Sequence, residues 1–151
     1  MERIVSASFA ELIAYAFWCL PDGIAKRIDY VHFLTGTDPV YAGLHDSVDT
    51  DDGRKFKEIA HFVPADAQPN LSKALRHPTI VLPVIDEPWV VVHELGHALD
   101  NIVYYDHPIT PITEYAKINE AEAFAEAFVG WLFEDSGEPD KETETLFDSL
   151  C

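Results

Sequence analysis

Basic side chains are scarce in this 151-residue chain: 10 Lys and Arg stand against 27 Asp and Glu, a formal net charge of −17. A field of that sign repels phosphate backbones and anionic lipid surfaces, so neither nucleic acid nor a membrane is expected as a partner. Cysteine is scarcer still. Cys19 and Cys151 are too few for a disulfide framework, and neither has the CxxC or near-histidine spacing that metal or redox work requires. No apolar run reaches the ~18 residues of a membrane span. After Met1-Glu2-Arg3 the chain is fairly apolar, but Glu11 interrupts it and no small-residue cleavage site precedes Pro21-Asp22-Gly23. An export leader is therefore not expected, and a cytoplasmic or phage-borne setting is favoured over classical secretion. Repeats, low-complexity stretches and linkers are missing too, so a single domain over 1–151 is expected.

What is present is enough apolar material for an interior: 48% hydrophobic and 12% aromatic residues, which excludes a disordered chain. Phe9, Leu12, Ile13, Ala16, Phe17 and Leu20 recur at three and four, predicting a helix over 8–20 with Ser8 and Glu11 as a capping box, closed by Pro21-Asp22-Gly23. Residues 28–34 and 79–85 read as strands and 55–63 as a strand or a short helix, the strand being preferred, with turn or acidic loop chemistry at 35–39, 46–53 and 64–70. Pro88 opens a helix expected over 87–104, and a second long helix is expected over 119–133, with Phe124, Phe128, Trp131 and Leu132 as its core side. An acidic tail or short helix follows within 135–151. Helices set apart from a small, mostly antiparallel sheet make the fold class α+β.

Residues 93–97 read His-Glu-Leu-Gly-His, an HExxH motif in the most clearly helical part of the chain. Residues four apart lie about 40° from one another around a helix, so His93 and His97 can grip one cation. Glu94 lies about 100° round from His93, placed to reach a metal-bound water as general base. With 7 His and 13 Glu, a shuffled chain would contain HExxH in about 3% of cases, so the motif needs support from context. Gly96 inside the helix suggests close packing or a backbone approach at the site.

Catalytic zinc takes three protein ligands and keeps one position open. The metzincin continuation is excluded, because Asp100 and Val103 stand where its glycine and third histidine would be. A glutamate on a following helix is the other common solution, and Glu120, Glu122 and Glu126 are available. Glu122 and Glu126 share one face, so either can reach a metal while the other supports a histidine. Glu122 also fits a capping box behind Asn119, and Glu120 points away as surface. Asp100, seven residues after His93, can orient an imidazole or simply face solvent. The remaining histidines, His32, His45, His61, His77 and His107, have no ligand spacing and are expected on the surface or in loops.

His-Glu-Leu-Gly-His-Ala-Leu-Asp at 93–100, Tyr115, and Asn-Glu-Ala-Glu-Ala-Phe-Ala-Glu-Ala-Phe at 119–128 resemble the catalytic domain of anthrax lethal factor and its relatives, including the Pro-Pro endopeptidases. The resemblance covers the last third to half of the chain and implies a zincin-like metallopeptidase domain, with an active-site helix followed by a glutamate-bearing helix. It implies zinc (Zn2+) on His93, His97 and Glu122, with Glu94 catalytic, Tyr115 assisting at the substrate oxygen and Glu126 supporting the ligands. The expected activity is endopeptidase action on a peptide or protein substrate. Two other readings stay open: a binding or toxin-accessory module on the same fold, and an amidase acting on cell-wall material. The acidity fits solubility or a salty habitat better than attraction of basic peptides, though charge alone does not choose.

Overall fold

The structure, a computed structural model, describes residues 9–35, 60–67, 77–82, 87–133 and 137–151. The turn segments at 35–39 and 46–53, residues 68–70, the Ser8 cap and the segments 55–59 and 83–85 of two expected strands lie wholly or partly outside them, as does His45. Helix α1 (Phe9–Cys19) buries Leu12 and Ala16, with Leu20 just beyond it, on the three-and-four spacing read from the sequence.

Pro21-Asp22-Gly23 ends α1 but starts another helix, α2 (Asp22–Ile28). This corrects the strand expected from residue 28. Pro21 holds an extended conformation before the first turn, and its carbonyl accepts from Ile24 N (3.1 Å) and Ala25 N (2.9 Å). Leu20, Ile24 and Ile28 then repeat at four, which is a buried helix face and has no period of two. The strand β1 covers His32–Thr35, β2 covers His61–Val63 and β3 covers Thr79–Leu82. Residues Ala65–Ala67 form a short 3-10 turn where loop was expected.

The sheet order is β1-β3-β2. β1 runs parallel to β3, from His32 opposite Thr79 to Thr35 opposite Leu82, and β2 runs antiparallel to it, with His61 opposite Val81. The expected mostly antiparallel sheet is thus mixed, half of its pairings being parallel. All four β3 residues are buried, as befits a central strand covered on both faces.

Helix α3 (Pro88–Asp100) packs on α1, α2 and the strands β2 and β3, and its partner α4 (Glu120–Phe133) makes the most extensive helix contact with it. α3 stops at Asp100, four residues earlier than the sequence suggests. The reason is Tyr105: its ring stacks on Phe124 (centroids 5.3 Å apart) while its hydroxyl donates to Asp100 Oδ1 at 2.9 Å. Residues five apart on a continuous helix would face different sides, so the chain must leave the helix to make that bond. Helix α5 (Lys141–Ser149) seats Phe147 edge-on against Phe124 and Phe128, both 5.4 Å away. The fold is mixed α and β, with five helices and a three-stranded sheet among the described residues.

Candidate metal centre

α3 and α4 cross with their backbones in near contact, and the feature that permits it is Gly96. A Cβ built there would lie 3.0 Å from Ala125 Cα and 3.3 Å from Phe128 Cδ2. At this crossing the histidine-bearing face of α3 meets the first two turns of α4. Asn119 caps α4, its Oδ1 accepting Glu122 N at 2.8 Å. The Glu122 carboxylate turns toward the imidazoles.

Glu122 Oε1 lies 3.0 Å from His93 Nε2 and 2.8 Å from His97 Nε2. One donor atom from each of the three residues falls within 4.8 Å of the others, so the group can hold a metal ion. Ligands of a tetrahedral site with bonds of about 2.0–2.1 Å sit about 3.3 Å apart, which small rotations of these side chains reach. Two imidazole nitrogens and one carboxylate are donors of the kind that divalent metal ions take.

The supporting contacts separate the two glutamates that the sequence left as alternatives. Glu126 Oε2 takes the other ring nitrogen of His93, Nδ1, at 2.9 Å, and its Oε1 accepts the Thr113 hydroxyl at 2.9 Å. Glu126 therefore stands behind His93, in the supporting position. Tyr115 begins a 3-10 turn (Tyr115–Lys117) rather than lying in open loop; its hydroxyl donates to Glu122 Oε2 at 3.1 Å, and its ring meets His93 edge-on at 5.8 Å. Asp100 bonds Tyr105 and no imidazole among the described residues, so its work is to fix the chain leaving α3. Glu120 is exposed, as expected.

Glu94 is buried in the core side of α3, and its Oε1 meets no hydrogen-bond partner among the described residues. Burial pushes its carboxyl above the usual range against the pull of His93 and His97. A buried carboxylate oxygen without a partner is costly unless something polar visits it, as a water or substrate proton would. Around it the charges are strongly coupled. Burial pulls His93 down, but the bonds to Glu122 and Glu126 outweigh it and raise the imidazole to about 10. Burial raises Glu122, yet the two imidazoles hold it well below the usual carboxylate range, and the His93 bond does the same for Glu126.

The other histidines depart from expectation at one point. His61 is buried in β2, where surface or loop was expected, because its strand lies under α3. His32 in β1 stacks on His77 (4.1 Å), and His107 Nε2 pairs with Thr143 Oγ1 at 3.1 Å. Thr113 is the site residue that sequence reading missed. A Thr three residues before Ala116 does signal a local cap on the Tyr115 turn, and Ala116 N donates to its Oγ1 at 3.0 Å, but nothing local points to Glu126. Compared with family models, characterised proteins and solved structures, the chain gives no match.

Proposed function

We propose that the protein is a zinc-dependent endopeptidase of the lethal factor-like kind. The observation that carries the reading is the convergence of His93, His97 and Glu122 beside the buried, unpartnered Glu94 Oε1. When bound, zinc supplies Lewis acidity, polarising a substrate carbonyl and making water a nucleophile near neutral pH. Glu94 takes the proton released as water attacks the scissile carbon, then returns it to the amide nitrogen as the C–N bond breaks. Its raised pKa suits both halves of that exchange, since a carboxyl poised nearer neutrality gives up a proton as readily as it accepts one. The Tyr115 hydroxyl, which donates to Glu122 in the resting site, is placed to donate instead to the oxyanion that forms. Glu126 keeps the Nδ1 proton on His93, so that Nε2 is the nitrogen offered to the metal.

The test compares metal content and turnover of a peptide library for wild type and Glu94→Gln. The expected result is stoichiometric zinc in both proteins and turnover lowered by about a hundredfold or more in the variant. Full metal with undiminished turnover would remove Glu94 from the chemistry. Stoichiometric zinc with no cleavage of any peptide by wild type would favour the binding-module reading.

A further inference from the structure

The Thr113 hydroxyl stands where the tyrosine-bearing turn meets the helix pair. It has one proton to give, and its partners fix where that proton goes. Ala116 N–H donates to it at 3.0 Å, so Thr113 is the acceptor there and its own proton points to Glu126 Oε1 at 2.9 Å. The second oxygen of that carboxylate receives His93 Nδ1–H at 2.9 Å, and the opposite nitrogen of the ring faces Glu122 Oε1 at 3.0 Å. Two lines of donation therefore converge on the Glu126 carboxylate, one from a backbone amide through Thr113 and one from the ring of His93. A carboxylate anchored at one oxygen can swing about its terminal torsion, which is broad and soft. One anchored at both oxygens cannot, and Thr113 supplies the second anchor.

We infer that Thr113 is a positioning residue of the metal centre: its hydroxyl locks the Glu126 carboxylate, which in turn holds His93 with Nε2 toward the metal. The inference rests on the metal-centre reading given above. It goes further in assigning the rigidity of His93 to a residue outside both helices, on the turn that carries Tyr115.

The experiment titrates zinc against a chromophoric chelator, using the full chain as wild type, Thr113→Val, Thr113→Ser, Glu126→Gln and the Thr113→Val/Glu126→Gln double variant. Circular dichroism of the metal-free proteins checks folding. Removing support of this kind weakens metal affinity by about 10–100-fold, so Thr113→Val is expected to lose about tenfold. Thr113→Ser keeps the hydroxyl and should bind as wild type does. The double variant should bind no more weakly than Glu126→Gln alone, because Thr113 acts through that carboxylate. Wild-type affinity in Thr113→Val, or a loss that adds in full to that of Glu126→Gln, would overturn the inference, since a role confined to capping the turn predicts either result. If Thr113→Val does not fold, Thr113→Ala takes its place in the same cycle. Absence of zinc binding by wild type overturns the metal centre itself and so is distinguishable from failure at Thr113.

Discussion

His93 carries a carboxylate on each ring nitrogen, Glu122 at Nε2 and Glu126 at Nδ1, and in the metal-free protein these pairs set how stability varies with pH. The His93 pKa is raised from 6.5 to about 10, so its contribution is complete below about pH 6.5 and is lost as pH rises toward 10. Glu122 and Glu126 are depressed below 4.5, so theirs is complete above that value and is lost on acidification. Glu94 is raised above 4.5, so its contribution is complete below that value and is lost as pH rises, against the gain from Glu122 and Glu126. Denaturant titrations in excess chelator should therefore show the pairs of His93 with Glu122 and Glu126 favouring the native state most between about pH 4.5 and 6.5, with His93→Gln flattening the alkaline limb. Metal loading has the opposite slope. Zinc must displace a proton from His93, so its affinity should rise by about tenfold per pH unit through neutrality.

Of the elements, α5 settles the expected acidic tail or short helix as a helix, and its contacts show what makes it structural. Its Asp140 cap accepts Thr143 N at 2.8 Å and also Thr110 N at 3.3 Å, tying the helix start to the loop after α3. Burial pushes Asp140 up, but those bonds outweigh it and hold the carboxyl at about 2. One turn on, Phe147 is fully buried against Phe124, Phe128 and Trp131, and Trp131 Nε1 donates to Asp148 Oδ1 at 3.0 Å. Truncating a fully buried phenylalanine costs about 3–5 kcal/mol, so urea denaturation of Phe147→Ala should show a loss of that size. Because Phe147 touches the core side of α4 and none of the ligands, zinc affinity of the folded fraction should stay near wild type. The loss of affinity together with stability would mean that α5 also sets the position of Glu122.

For the whole molecule, the three residues that could hold a metal come from two helices, so an ion held there would bind the folded chain and not the open one. With free zinc at a thousand times its Kd, that linkage is worth about 4 kcal/mol. For a chain of this length it corresponds to about 8–16 °C, and chelation should lower Tm by about that much. The two helices and the meeting of His93, His97 and Glu122 were legible beforehand because HExxH and the Asn119 to Phe128 segment both place their side chains by helical spacing. Strand direction was not. The parallel pairing of β1 with β3 depends on how the chain returns through 36–76, and periodicity is silent on that. Tyr105, Thr113 and the burial of His61 were equally hidden, because a lone hydroxyl or imidazole acquires its partner only when the fold is complete. Gly96 was read as a sign of close approach, and the 3.0 Å from its missing Cβ to Ala125 Cα gives that approach a consequence. The absent side chain leaves a gap set by backbone contact between the helix that carries His93 and His97 and the helix that carries Glu122, so an ion shared by the three would meet a spacing fixed by a residue that never touches it. Gly96→Ala should widen the gap by a few tenths of an ångström and shift the ratio of cadmium to zinc affinity toward the larger ion.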